Sequence, residues 1–571
     1  MEIANRVNGK RQSNLYLTLI ILSGIIFFIP FLGRVHLFDW DEINFAESAR
    51  EMIVTGNYHR VQINFQPFWE KPPLFFWLQV AAMKIFGINE FAARFPNALF
   101  GIITLVTFFF IGKKYKSPQF GFIWAISYIG TFLPHLYFKS AIIDPVFNYF
   151  IFLGIYFMYK DIAGQVLKNK YLYVSLAGLF IGLATLTKGP VGLLVFLISF
   201  FVFFIFNKFK NFPGIKKIVA FIFFFTIICL LWFGQEIINN GFWFLKEFLS
   251  YQADLFLHPV ASHGEPFYYH FVVVFIGCFP ISIIALPILF GENAGWWRHQ
   301  PARRSLVELT DIDINKDFLR LMKILFWTVM ILFSITTTKI VHYSSLTYMP
   351  LAFMAAVYLD NLIANKEKMN NFLLILIAIM GFVFSFLLAA VPYIANHHEL
   401  ILPYLKDPFA AASLNVNVKW SGFESFIGII YFILVIAAVI LFYKKKNKVA
   451  ILFLFYSTAV CLFIYLPAVV TKIEKYSQGP AINFYETLQG KSVYVWPIGF
   501  KSYAQYFYAK KPASPVYGEA DEEFLLKGNI DKPAFFVVKI TNTGFDSTCS
   551  RCQLIKQEGG FKFYKREAVS K

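Results

Sequence analysis

Charge is what this chain lacks. Only 15% of its 571 residues are Asp, Glu, Lys or Arg, against about a quarter in an ordinary soluble domain. Cysteine is also scarce: five residues, too few for a disulfide framework. No cleavable signal peptide is evident, because the first apolar segment is long and no small-residue cleavage site follows it. No internal repeat or low-complexity tract stands out. These shortages exclude an ordinary soluble enzyme and, with the long apolar runs, a disordered chain. What is abundant is apolar surface: 58% of residues are hydrophobic and 20% aromatic. The chain reads as a polytopic membrane protein.

The formal net charge of +18 invites a nucleic-acid partner. None is expected, because the basic residues fall in short loops between candidate spans, where they set orientation. A spanning helix needs about 20 mostly apolar residues. About thirteen candidate runs occur, near 15–32, 95–111, 120–136, 146–159, 172–186, 191–206, 218–233, 271–290, 319–335, 343–358, 372–391, 426–443 and 450–470. With Arg6, Lys10 and Arg11 in the cytoplasm, alternate loops become cytoplasmic. They carry Lys113, Lys114 and Lys116, then Lys160, Lys168 and Lys170, then Lys208, Lys210, Lys216 and Lys217, then Arg298, Arg303, Arg304 and Lys316, then Lys366 and Lys368, and finally Lys444, Lys445, Lys446 and Lys448. An odd number of spans leaves the C-terminus outside. The expected layout is a membrane domain over 1–470, with external loops at 33–94 and 235–270, followed by a soluble extracytoplasmic domain over 471–571. In that tail, 492–498 and 534–540 read as strands, and 483–488 and 502–509 as helical. The expected class is an all-α membrane protein with a small C-terminal α/β domain. The layout implies a multi-pass membrane protein with a cytoplasmic N-terminus.

The first external loop carries the clearest chemistry. In FDWDEINFAESAREMIVTG (38–56), Ile43, Ala46, Ala49 and Ile53 recur at helical spacing, with Asp41 at the start and Gly56 at the end. Asp41 reads either as an N-cap or, with Glu42, as an active-site carboxylate at the membrane surface. Three acids so close to a span are costly to desolvate without a purpose. In QPFWEKPP (66–73), Glu70 and Lys71 are adjacent. The apolar run 74–86 that follows is too short to span and suits the interface. Lys71 at a helix N-terminus then suits a phosphate; the plain alternative is a surface ion pair.

The remaining external polar residues are scattered. Asp144 in KSAIIDP is a helix-start residue or a second acid. Lys188 in LTKGP is a snorkelling lysine or a ligand for an anion. Tyr343, beside Lys339 and His342 in TTTKIVHYSS, contacts a substrate or belongs to the interfacial aromatic belt. His258, His263, Glu265 and His270 lie in or at the end of the second large loop; Glu70 with one of the histidines could hold a divalent metal, although no HExxH-type spacing supports it. Cys549 and Cys552 form an external C-x-x-C, expected to close a local disulfide; Cys229, Cys278 and Cys461 read as packing residues. Carboxylates and lysines from distant positions thus map to one membrane face, which suits a reaction on an anionic lipid-borne substrate.

At these residues the chain resembles the GT-C glycosyltransferases that use polyprenyl-phosphate sugars, a group that includes lipid A 4-amino-4-deoxy-L-arabinose transferases and protein O-mannosyltransferases. The resemblance rests on WDEINFAESAREM (40–52), EKPPLFFWL (70–78), NEFAARFPNALFG (89–101), Asp144, LATLTKGPVGLL (183–194) and TKIVHYSSLTYMPL (338–351). It implies a GT-C fold and transfer of a sugar from a polyprenyl-phosphate donor to an extracytoplasmic acceptor: a lipid A-like lipid, a glycan or a protein. It implies Asp41 as the catalytic carboxylate supported by Glu42, with Asp144 as a second acid. Lys71 and Lys188 would bind the donor phosphate, Tyr343 and Lys139 would contact substrate, and Glu70 with His263 would hold a divalent metal. The aminoarabinose enzymes tend to carry Arg where Asn44 stands, Tyr where Phe68 stands and Arg where Lys139 stands, so the sugar is not implied. Two other readings stay open. A lipid-linked-sugar flippase would place its site near the bilayer midplane, and an assembly factor would use the tail for docking.

Overall fold

The computed structural model describes residues 2–68, 70–164, 169–257, 264–291, 316–512 and 522–569. Every one of the thirteen apolar runs falls on helix, but the helices are neither uniformly long nor straight. Among the described residues, seven are long and apolar enough to cross a membrane, or up to nine if each of two bent pairs is one span. The runs near 172–186 and 191–206 form Leu172–Lys188 and Val191–Phe206, of 17 and 16 residues. The run near 271–290 is bent by 104° between Tyr269–Gly277 and Ile281–Phe290, with Pro280 in the break, as helix geometry requires of proline. The run near 120–136 divides into Pro118–Ile129 and Phe132–Tyr137. Gly130 sits between them because a Cβ there would lie 2.4 Å from the Phe455 carbonyl oxygen. The basic residues Arg298, Arg303 and Arg304 lie outside the described residues.

Side-chain caps start several of these helices: Asn89 accepts from the Ala92 amide, Ser117 from Phe120 and Asn370 from Phe372. On one side of the bundle, the helices Asp41–Thr55 and Leu74–Phe86 pack on each other.

The tail folds into a four-stranded sheet in the order Tyr494–Ile498, Ala534–Lys539, Phe561–Arg566, Cys552–Glu558. The first pair is parallel and the others antiparallel. The two expected strands appear nearly in place, and the two expected helices appear as Gly479–Glu486 and Ala504–Tyr508. The closing hairpin was not read from the sequence. Cys549 and Cys552 are disulfide-bonded just before it. Strand alternation gives the sheet two apolar faces. Phe536 and Val538 pack with Leu525, Phe545 and Tyr564 in the tail's own core, whereas Val537, Phe561 and Phe563 join the core shared with the membrane helices.

Candidate active site

Two buried arrangements position the site. The first is a knot around Arg94. Its guanidinium donates to both oxygens of Glu42 at 3.0 and 2.6 Å and to the carbonyls of Leu32, Val35 and His36. Glu42 also accepts from the amides of Phe38 and Ala141, at 2.9 and 2.6 Å. Burial alone would raise the Glu42 carboxyl, but the Arg94 charge and these hydrogen bonds outweigh it and hold the group below the ordinary carboxylate range. The knot fixes the chain just before Asp41 and three residues before Asp144. The second arrangement is a clamp from the tail on the same segment. The Leu37 amide donates to Tyr508 Oη at 2.7 Å, Gln478 donates to the Leu37 carbonyl at 3.0 Å, Ser502 bonds Asp39, and Trp40 packs on Tyr503.

Held in this way, Asp41 opens its helix, which ends at Gly56 with φ of 71°. Asp41 does not cap it: the capping position is Trp40, which makes no side-chain cap bond. Asp41 Oδ2 instead faces His342 Nε2 at 3.6 Å. Asp144 begins the helix Asp144–Ile162, and its Oδ1 accepts from Lys188 Nζ at 2.6 Å. Lys188 ends its own helix and lies 4.9 Å from the ring centre of Tyr343. Lys71 lies 5.3 Å from the ring centre of Tyr251, whose hydroxyl donates to Glu70 at 2.7 Å. Desolvation and the nearby Lys188 charge lower the Lys71 ammonium below its usual range, against the opposing pull of Glu70, Asp41 and Asp144.

Lys71, Asp144, Lys188 and Tyr343 line one cavity. Its polar end is lined by Lys71, Asp144, Lys188, Gln252, Thr336 and Tyr343; its apolar part by Phe147, Ile151, Val191, Val195, Phe333 and Leu346. The arrangement suits a molecule with an anionic head and a hydrocarbon tail.

The structure thus brings Asp41, Glu70, Lys71, Asp144, Lys188 and Tyr343 together. Two expected residues are not with them. Glu42 does not face the cavity, because every oxygen it has is taken by Arg94 and two backbone amides; its role is to hold the fold. Lys139 does not face it either: its ammonium donates to the carbonyls of Phe27, Phe28 and Pro30 at the end of the first helix, where a cation suits the helix dipole. His263 lies outside the described residues. Among the described residues no group of three His, Cys, Asp or Glu is placed to hold a metal, and the Glu70 carboxylate is engaged by Tyr251. Sequence reading missed the placement of His342 and Tyr251. His342 stood next to Tyr343 in a motif already singled out, whereas nothing in the amphipathic stretch around Tyr251 signals a site.

The family model described as dolichyl-phosphate-mannose-protein mannosyltransferase matches residues 70–233, a stretch that contains Glu70, Lys71, Asp144 and Lys188. An undecaprenyl phosphate-alpha-4-amino-4-deoxy-L-arabinose arabinosyl transferase of Wigglesworthia glossinidia brevipalpis is 24% identical over 384 residues, covering 66% of this chain and 64% of that protein. The protein of the same name from Edwardsiella ictaluri is 24% identical over 395 residues, covering 67% of each. The match therefore spans about two thirds of the length of these relatives. The crystal structure of ArnT from Cupriavidus metallidurans bound to undecaprenyl phosphate superposes with a TM-score of 0.70 at 14% identity, covering 97% of this chain and 99% of that one. At that identity the likeness is one of fold.

Proposed function

We propose that the chain is a GT-C glycosyltransferase, as its sequence likeness to the arabinosyl transferases and its fold support, and that it moves a sugar from a polyprenyl-phosphate donor to an acceptor on the extracytoplasmic face of a bacterial inner membrane. The observation that carries this reading is the single cavity joining Lys71 and Lys188 to an apolar wall. In it the donor's phosphate lies between the two ammonium groups and its isoprenoid chain runs along Phe147, Ile151, Val191 and Val195. The basic loops of the sequence put the N-terminus in the cytoplasm, and with it the tail, the Asp41 loop and the reacting sugar on the outer side.

Transfer passes through an oxocarbenium-like state in which the C1–O bond to phosphate breaks. Lys71 and Lys188 stabilise the charge that develops on the departing phosphate; removing one such group typically costs about 10²–10³ in kcat. Asp41, the more open of the two acids, accepts the proton of an acceptor hydroxyl. A single displacement inverts the anomeric carbon. The sugar is a pentose or a hexose, and the acceptor a lipid A-like lipid, a glycan or a protein. If a divalent metal takes part, Glu70 is the residue that would hold it, together with His263.

The test uses full-length protein in nanodiscs supplied with polyprenyl-phosphate sugars. Wild type transfers sugar, and Asp41→Asn and Lys71→Ala do so at least a hundredfold more slowly. Full activity in both variants removes the site. Lipid movement across proteoliposomes without sugar release would favour a flippase. Mass spectrometry of envelope lipids and glycoproteins from cells with and without the gene identifies the acceptor.

A further inference from the structure

His342 stands beside both acids of the site, and the reaction above gives it no role. It lies in the 3₁₀ turn Val341–Thr347. Its Nε2 is 3.6 Å from Asp41 Oδ2 and 3.8 Å from Asp144 Oδ2, so one ring nitrogen faces carboxylates from two separate helices. A buried histidine with a packing role looks different here: His135 turns its Nδ1 to the Ile129 carbonyl at 2.9 Å. Exposure falls along the row, from 38% at Asp41 to 13% at His342 and 5% at Asp144. The row therefore runs from the open side of the site inward. The oxygens of Asp144 are divided, with Oδ1 taken by Lys188 at 2.6 Å and Oδ2 turned to the imidazole. The other charged or titratable groups that face the ring are Lys188, Lys71, His270 and the adjacent Tyr343.

Resting on the glycosyl-transfer reading above, we infer that His342 takes over the acceptor's proton from Asp41, and that the acceptor group is therefore a hydroxyl and not an ionised phosphate. The acceptor oxygen forms a bond to C1 of the sugar while the C1–O bond to the lipid phosphate breaks, and that electron pair leaves on the phosphate oxygen. The acceptor's proton goes to the Asp41 carboxylate and then to neutral His342 Nε2, where Asp144 is the counter-ion of the imidazolium formed. The proton is later lost to water, which restores the starting state. Both gaps exceed a direct hydrogen bond and close when substrate is bound, as catalytic contacts in empty sites commonly do. An ionised phosphate acceptor brings no proton to move.

The relay acts through Asp41, so its signature is a pH profile. In wild type, the single-turnover rate with a hydroxyl acceptor rises with pH as His342 loses its proton. His342→Gln keeps a polar side chain of similar reach but cannot relay; that rate falls about 10²-fold, the acidic limb disappears and the KM for donor stays within about twofold. Phosphomonoester acceptors without a free hydroxyl receive no sugar. A His342→Gln variant with the wild-type pH profile, or transfer onto a phosphate oxygen, overturns the inference. A second measurement does not depend on turnover. In full-length protein with labelled histidine, NMR titration places the His342 pKa at least one unit lower in Asp144→Asn than in wild type, because the counter-ion is gone. An unchanged titration in both Asp144→Asn and Asp41→Asn removes the coupling. Absence of any wild-type transfer refutes the glycosyltransferase reading instead, while the titration still decides whether the row is coupled.

Discussion

Replacing Glu42 by Gln tests how the site is held, because the change touches no cavity residue. Glu42 and Arg94 are each 5% exposed. Arg94 keeps its three carbonyl partners in the variant, so its charge stays buried while its counter-charge is lost. Removing one member of a buried pair costs about 3–5 kcal/mol. The amide makes matters worse, since its NH₂ faces a donor where Glu42 accepted from Phe38 or Ala141. Replacing both partners, as Glu42→Leu with Arg94→Met, removes the stranded charge and recovers part of the loss, though the carbonyls of Leu32, Val35 and His36 then lose their donor. The expected order of stability in reversible denaturant unfolding of the purified protein is wild type, then the double variant, then Glu42→Gln. The pH dependence has a definite sign. A carboxyl whose folded pKa lies below its unfolded value contributes fully above about pH 4.3 and loses that contribution as pH falls through the folded pKa. Glu42→Gln also lowers kcat, because the knot sets both Asp41 and Asp144, while donor affinity stays near wild type. A Glu42→Gln protein as stable as wild type at pH 7 would refute the view that this knot holds the two acids in place.

Three further outcomes follow from the same contacts. Tyr508→Phe strands the buried Leu37 amide at a cost of about 1–3 kcal/mol; kcat falls with little change in donor KM, and hydrogen exchange at 36–41 rises. Gly428→Val drives a Cβ to 2.4 Å from the Ser385 carbonyl oxygen and 2.5 Å from the Ala389 nitrogen; the helices Asn371–Asn396 and Ser425–Tyr443 must separate, costing about 1–3 kcal/mol or more, read as lower thermal stability in detergent. Because desolvation lowers Lys71, affinity for undecaprenyl phosphate weakens as pH rises and the ammonium is lost; in Lys71→Arg, which stays charged, calorimetric titration shows a flat pH dependence over the same range.

Sequence periodicity was enough to delimit the helix from Asp41 to Gly56, because a local apolar spacing and a left-handed glycine are both local signals. Loop charge led to the expectation that Asp41, Lys71, Asp144 and Lys188 share one face, and the fold does gather these four residues. What could not be read were partners chosen across the fold. Asp41 and Glu42 are chain neighbours with the same chemistry, yet Asp41 faces His342 and Glu42 faces Arg94, 52 positions away. That choice depends on which side of the helix meets the NEFAARFPNALFG segment. Lys139 looked like a substrate contact because it lies near Asp144; it is turned to three carbonyls at the end of the first helix, and those orphan acceptors exist only where that helix stops. The bend of 104° at Pro280 hides inside a run whose hydropathy is continuous, because hydropathy counts apolar residues without regard to direction.

The charges of the site bear on which step limits turnover. A donor phosphodiester carries one negative charge; the phosphomonoester that departs carries roughly −1.5 to −2 at pH 7. Lys188 is paired with Asp144 at 2.6 Å, and burial weakens the hold of Lys71 on its proton. Neither lysine is therefore fully available to the donor, and both gain as negative charge grows on the leaving oxygen: Lys188 by turning from Asp144 to the phosphate, Lys71 by regaining full protonation beside it. Interactions that strengthen between ground state and transition state are those that accelerate chemistry. The same arithmetic makes the lipid phosphate product bind more tightly than the donor. Added undecaprenyl phosphate should then inhibit competitively with an inhibition constant below the donor's KM, and a burst of product should precede the steady state. Equal affinity for donor and lipid phosphate, with no burst, would mean that the lysines hold the head group without favouring its departure.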